Sequence, residues 1–110
     1  MRVVYEDFEA RLTPIDGSEA GGRGKAERER FKGDAEELEV RLYELALPEG
    51  TTLEVFLRDE SIGYTTVKDG RAVLRLENKS GASVPKVLAG DQIEVRRSGS
   101  VILRGVFKED

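Results

Sequence analysis

Apolar and charged residues alternate from the start of the chain. Phe8, Ala10 and Leu12 are separated by Glu9 and Arg11, a period of two that predicts a strand over residues 3 to 13 with one buried face. "TTLEVFLRD" repeats the pattern with Leu53, Val55 and Leu57. Turn signals recur about every ten residues, the rhythm of a sandwich or barrel. In "IGYTTVKDGRAVLRLE", Asp69-Gly70 is the dipeptide that suits a two-residue type I′ hairpin turn. Such a turn pairs Lys68 with Arg71, Val67 with Ala72 and Thr65 with Leu74, and places Ala72, Leu74 and Leu76 on the same face as Val67.

"DQIEVRRSGSVILRGVF" reads as a final hairpin with two possible registers. A two-residue Ser98-Gly99 turn would set Ile93 opposite Arg104. A three-residue Arg97-Ser98-Gly99 loop pairs Val95 with Val101 and Ile93 with Leu103, which makes one continuous apolar face, and this register is the one expected. It leaves Ile102 and Val106 on the opposite face, a surplus that a second layer or another subunit would cover.

"FKGDAEELEVRLYELALPEG" (31 to 50) admits a helix, with capping-box spacing at Asp34 and Glu37 and a stripe of Ala35, Leu38, Leu42 and Leu45. Val40 and Leu47 fall on the back of that helix. As a strand, Leu38, Val40 and Leu42 alternate with Glu39 and Arg41, and a bulge near Leu42 and Tyr43 brings Leu45 and Leu47 into phase. The strand is the expected reading, with "LPEGT" turning into the next one. "KAERERF" reads as a charged edge strand. "PIDGSEAGGRG" before it and "NKSGASVPKVLAGD" later read as loops. Pro85, Val84, Val87 and Leu88 are expected to tuck under the open end of the fold, with a binding rim as the alternative.

At 110 residues the chain fits a single domain, residues 1 to 110. It contains no Cys and no His, which excludes disulfides, thiol nucleophiles, histidine-based triads and His- or Cys-ligated metals. No cofactor, catalytic residue or metal ligand is predicted. Its Glu- and Arg-rich usage, with few labile residues, resembles thermophile composition. "MRVVYEDFEARL" carries acids where a secretory signal would be apolar, and no run is long enough to span a membrane, so a cytoplasmic location is expected.

The formal charge of −4 makes nucleic acid an unlikely partner, and the basic residues lack interleaved aromatics for base stacking. "GSEAGGRGK" fails as a phosphate loop, because Glu19 and Ala26 occupy the required Gly and Ser/Thr positions. Basic residues over 23 to 32 adjoin acids over 34 to 44, and the two stretches are expected to pair across strands. Arg23, Lys25, Arg96, Arg97 and Arg104 are the candidate anion-binding residues. Acid pairs such as Asp59 with Glu60 or Asp69 with Asp91 are available for a carboxylate-dependent hydrolase, the least favoured reading.

From "LPEGTTLEVFLRDESIG" to "GRAVLRLENKSGASVPKVLAGDQIEVRRSGSVILRGVF", the chain resembles small uncharacterised bacterial all-β domains. Those domains share a "GT-x-L-x-V … IG … GRA … VP-x-V-x-x-GD-x-I-x-V … L-x-G-x-F" pattern. The resemblance implies strands over 38 to 47 and carries over no activity, cofactor or functional residue.

These observations predict an antiparallel β-sandwich or flattened barrel of about seven or eight strands, mostly a meander. The expected role is a non-enzymatic structural or interaction domain that forms a homo-oligomer. An anion- or oligosaccharide-binding module is the alternative.

Overall fold

The computed structural model describes residues 4 to 80 and 83 to 110. The alternating stretches become nine strands: β1 (Val4–Pro14), β2 (Gly21–Phe31), β3 (Glu36–Leu45), β4 (Thr52–Leu57), β5 (Glu60–Thr66), β6 (Ala72–Glu77), β7 (Gln92–Arg97), β8 (Ser100–Val106) and β9 (Lys108–Glu109). All ladders are antiparallel, in the order β5-β4-β7-β8-β1-β2-β3-β6, with β9 beside β1. The sheet's outer strands, β5 and β6, meet at a seam. There the Thr65 hydroxyl donates to the Val73 carbonyl at 2.7 Å, and Lys68 pairs with Arg71. The result is a nearly closed barrel within an envelope of 41 × 26 × 24 Å. Eight strands leave an interior just wide enough for side chains to fill.

Consecutive strands pair in β1-β2-β3, β4-β5 and β7-β8, so the local hairpins form a meander. The β3-β6, β4-β7 and β8-β1 ladders join strands distant in sequence. One end of the barrel carries the connections 15–20, 46–51, 67–71 and 98–99, and is called here the turn end. The segment 83–91 plugs the other end, where Val84 and Val87 enter the core as expected, while Leu88 remains exposed. Leu38, Val40, Leu42, Leu53, Val55, Leu57, Ile93, Val95 and Leu103 fill the interior.

The strand expected over 38 to 47 is present as far as Leu45, with Leu47 half-buried beyond its end, and its parity shift has a different origin from the expected bulge. The β2-β3 register runs unbroken from Gly21↔Leu45 to Arg30↔Glu36. Glu44 adopts a left-handed φ of 55°, and this turns Leu45 inward after Leu42. Glycines at 21 and 22 lie across from it, and a Cβ on Gly22 would stand 2.7 Å from Leu45 Cδ2. Residues 21 to 24, expected in a loop, are therefore strand.

"KAERERF" is not an edge. It lies in β2, between β1 and β3, with Lys25, Glu27 and Glu29 outward and Ala26 in the core. Central placement works because β2 presents small groups inward. Ala26 sits between Ala10 and Val40, and the bare Gly24 receives Leu12 and Leu42. Arg28 also points inward and is 2% exposed. Its Nε donates to the Pro85 carbonyl at 3.2 Å, and its Nη2 lies 3.2 Å from Glu36. A buried guanidinium thus fastens the plug to the barrel wall.

Both long-hairpin registers also differ in part. Asp69 (φ 53°) and Gly70 (φ 73°) form the expected left-handed turn, but only the Lys68–Arg71 pair follows it. Beyond it, Ala72 pairs with Leu42 in β3, and Thr65 pairs with Leu53 in β4. In the last hairpin the turn is two residues, Ser98-Gly99, with Arg97↔Ser100 and Arg96↔Val101. A register shift then gives Val95↔Leu103 and Ile93↔Gly105. Neither register considered from the sequence contains that shift. Its consequence is that Ile102 and Leu103 are both buried, leaving Val106, 49% exposed, as the outward remainder.

Candidate functional site

The five predicted anion-binding residues fall into three settings. Arg96 and Arg104 are held by Glu94, an outward-facing acid on β7 that is only 6% exposed. Glu94 Oε1 accepts from Arg96 at 2.7 and 3.2 Å, and Oε2 accepts from Arg104 at 2.7 and 2.9 Å. Burial alone would raise the Glu94 carboxyl, but these guanidinium bonds outweigh it and hold the group below the usual carboxylate range. Arg96 also stacks 3.8 Å from the Phe56 ring centroid and reaches Asp59 at 3.0 Å. These two guanidiniums are already occupied. Arg97 stands at the turn end, beside a recess lined in part by Asp16 and Glu19.

Arg23 and Lys25 lie on the outer face formed by β9, β1, β2, β3 and β6. The ladders align like charges there in rows across the strands. Arg11 faces Lys25, which faces Arg41. The next row toward the plugged end is Glu9, Glu27, Glu39 and Arg75, with Lys108 opposite Glu9 on β9. The last row is Asp7, Glu29, Glu37 and Glu77, extended by Asp110, whose amide donates to the Asp7 carbonyl at 2.9 Å. Like charges directly opposite are unfavourable in a sheet. Relief comes mostly from neighbours in adjacent rows: Lys25 meets Glu9 at 3.3 Å, and Arg75 meets Glu77 and Glu37 at 2.6 and 3.6 Å, besides Glu39 of its own row at 3.8 Å.

The expected pairing of basic 23–32 with acidic 34–44 therefore holds only in part. Arg28 pairs with Glu36 and Arg23 with Glu44, but Lys25 and Arg30 turn to Glu9 and Glu6 of β1.

Carboxylate oxygens of Asp7, Glu27 and Glu29 all lie within 4.8 Å of one another. Burial, then Asp110 and Glu9, raise the Asp7 carboxyl; burial, then Asp7, raise Glu27. Hydrogen bonding to Glu9 and the nearby Glu27 charge raise the Lys25 ammonium in turn. Three such oxygens are the donor type a hard cation takes. As acids they converge on the outer wall of the barrel, whereas a hydrolase dyad works across a bound substrate. The pairs named from the sequence behave differently: Asp59 binds Arg96, Asp91 binds Arg58, and Asp69 and Asp91 sit at opposite ends of the barrel. Sequence reading missed Arg11, Arg41 and the acid trio. The signal was present as period-two charges, but the register that aligns them was not.

A groove of about 630 Å³ runs along the cationic part of this face, lined by Arg11, Thr13, Arg23, Lys25, Tyr43 and Glu9 among others. The Arg23 guanidinium lies 5.1 Å from the Tyr43 ring centroid. Arg104 pairs with Thr13 on the adjoining strand, which places it beside the groove although Glu94 holds it. Among the described residues, no helix is long and apolar enough to cross a membrane. No protein-family model matches the chain, and no curated protein sequence matches it.

Proposed function

We propose that this chain is a non-enzymatic interaction domain that docks face to face with a second copy of itself. The observation that carries this reading is the segregation of charge on the β1-β2-β3-β6 face. The row Arg11, Lys25, Arg41 lies toward the turn end, and the row Asp7, Glu29, Glu37, Glu77 lies toward the plugged end. A two-fold axis lying parallel to the face and running along the middle row, across the strands, sets the cationic row of each copy against the acidic row of the other. Such an interface is isologous and closes as a dimer. Complementary potentials of this kind govern register and encounter more than affinity, so the dimer is salt-sensitive. The motive offered by the sequence, an apolar last strand, is reduced to Val106 now that Ile102 is internal.

Sedimentation velocity at low and high salt tests the proposal, with dimer expected at low salt and monomer at high salt. A charge-swap experiment is sharper. Arg11→Glu/Arg41→Glu and Glu29→Lys/Glu37→Lys should each be monomeric alone and should form a heterodimer when mixed. Wild-type protein that stays monomeric at low salt and high micromolar concentration would overturn the reading, as would variants that fail to restore association on mixing.

A further inference from the structure

The cations of the groove differ from those of the final hairpin in one respect that bears on ligands. Arg96 and Arg104 are tied to a buried carboxylate, and a ligand would have to break two bidentate pairs to use them. Arg11 makes no salt bridge among the described residues, and the cations beside it, Arg23 and Lys25, are exposed. Arg23 lies 3.5 Å from Glu44 with both side chains more than half exposed, and Lys25 lies 3.3 Å from Glu9. Exposed pairs of this kind are weak and easily displaced.

We infer that the groove bounded by Arg11, Thr13, Arg23, Lys25 and Tyr43 is a binding site for a phosphate or sulfate group on a small polar ligand. Arg11 and Lys25 stand on directly opposed positions of β1 and β2, so one oxyanion can accept from both. Arg23 and the Thr13 hydroxyl add donors on the turn-end side. The Tyr43 ring, held under the Arg23 guanidinium, walls the groove and gives the ligand body an apolar contact. The acid row at Glu9 and Glu27 bounds the site and confines the anion to the Arg11–Arg23 side.

This site does not rest on self-association, and dilution separates the two: ligand binding persists at low micromolar protein, where a salt-sensitive dimer dissociates. The test is an amide chemical-shift titration at low salt with inorganic pyrophosphate, repeated with a sulfated disaccharide to distinguish a bare oxyanion from a sugar-borne one. Saturable shifts are expected at residues 11 to 13, 23 to 25 and 43. Arg11→Ala should weaken binding by roughly tenfold, and raising salt from 50 to 200 mM should weaken it several-fold. Lys86→Ala, at the plugged end, should bind as wild type. Shifts centred on residues 96 to 104, an Arg11→Ala variant with unchanged affinity, or no saturable shift with either probe would each overturn the inference.

Discussion

Glu94→Gln keeps the size of the side chain and removes its charge, which isolates the role of the buried acid on β7. In the native protein Glu94 accepts four hydrogen bonds, two from Arg96 and two from Arg104. Gln keeps one carbonyl oxygen and turns an amide donor toward the other guanidinium, so one arginine loses its partner. Hydrogen bonds to charged groups contribute about 1.5–3 kcal/mol each, and two are lost. The Arg96 and Arg104 side chains, 21% and 46% exposed, regain water, which lowers the expected loss to about 2–3 kcal/mol. With an unfolding entropy of about 2.1 cal/mol/K per residue, a 110-residue chain loses about 4 °C per kcal/mol, so the midpoint should fall by about 9–13 °C. Urea titration at pH 7 gives the free energy, and thermal circular dichroism gives the midpoint. A fall of less than about 2 °C, with an unchanged urea midpoint, would refute the view that Glu94 organises the outer surface of β7 and β8.

Three further outcomes follow from the packing and the charge rows. Asp7 and Glu27 titrate above their unfolded values, so the folded state takes up protons first, and stability should rise as pH is lowered from 7 toward 5. Glu94 acts in the opposite sense, since its stabilisation is lost only as pH falls through its depressed folded value; a lower urea midpoint at pH 5 than at pH 7 would contradict this account. Gly105→Ala should cost about 3 kcal/mol, because its Cβ would stand 2.2 Å from the Arg11 carbonyl oxygen, whereas Gly17→Ala, strained only by its φ of 81°, should cost about 1 kcal/mol; equal losses in urea would show that the close approach does not matter. Arg28→Met should change global stability by less than about 1.5 kcal/mol, since an apolar chain replaces a buried charge, yet it should speed amide exchange at Val84 and Val87 by roughly tenfold or more. Unchanged exchange there would mean that the guanidinium does not hold the plug.

Alternation alone was enough to place Phe8, Ala10, Leu12, Leu38, Val40, Leu42, Leu53, Val55 and Leu57 in the core and to reject the helix over 31 to 50. It could not say which strands adjoin. "KAERERF" looked peripheral because its inward positions are Gly24, Ala26 and Arg28, and only the neighbouring Leu12 and Leu42 reveal that those small groups are receptors for larger ones. Ile102 looked superfluous because the register shift that buries it leaves no mark in composition. Glu44, Arg58 and Asp59 adopt left-handed conformations that residue type does not announce, and so the two-residue Arg58-Asp59 turn could not be read as Asp69-Gly70 was. The same limit applies to the site. Arg23 and Lys25 were identifiable as cations, but their alignment with Arg11 and Arg41, and the capture of Arg96 and Arg104 by Glu94, depend on ladders that join distant segments.

The pairing of β1 with β8 and β9 has a kinetic meaning. Thr13 finds Arg104, and Phe8 finds Glu109, only after everything between them has been made. During synthesis the β1-β2-β3 meander can form early, but one edge of β1 stays unsatisfied until β8 and β9 leave the ribosome. Loop-closure entropy makes such distant contacts slow to form. The barrel should therefore close in a late, all-or-none step, and the waiting edge of β1 is where a nascent chain would be most exposed to wrong pairing or to chaperone capture.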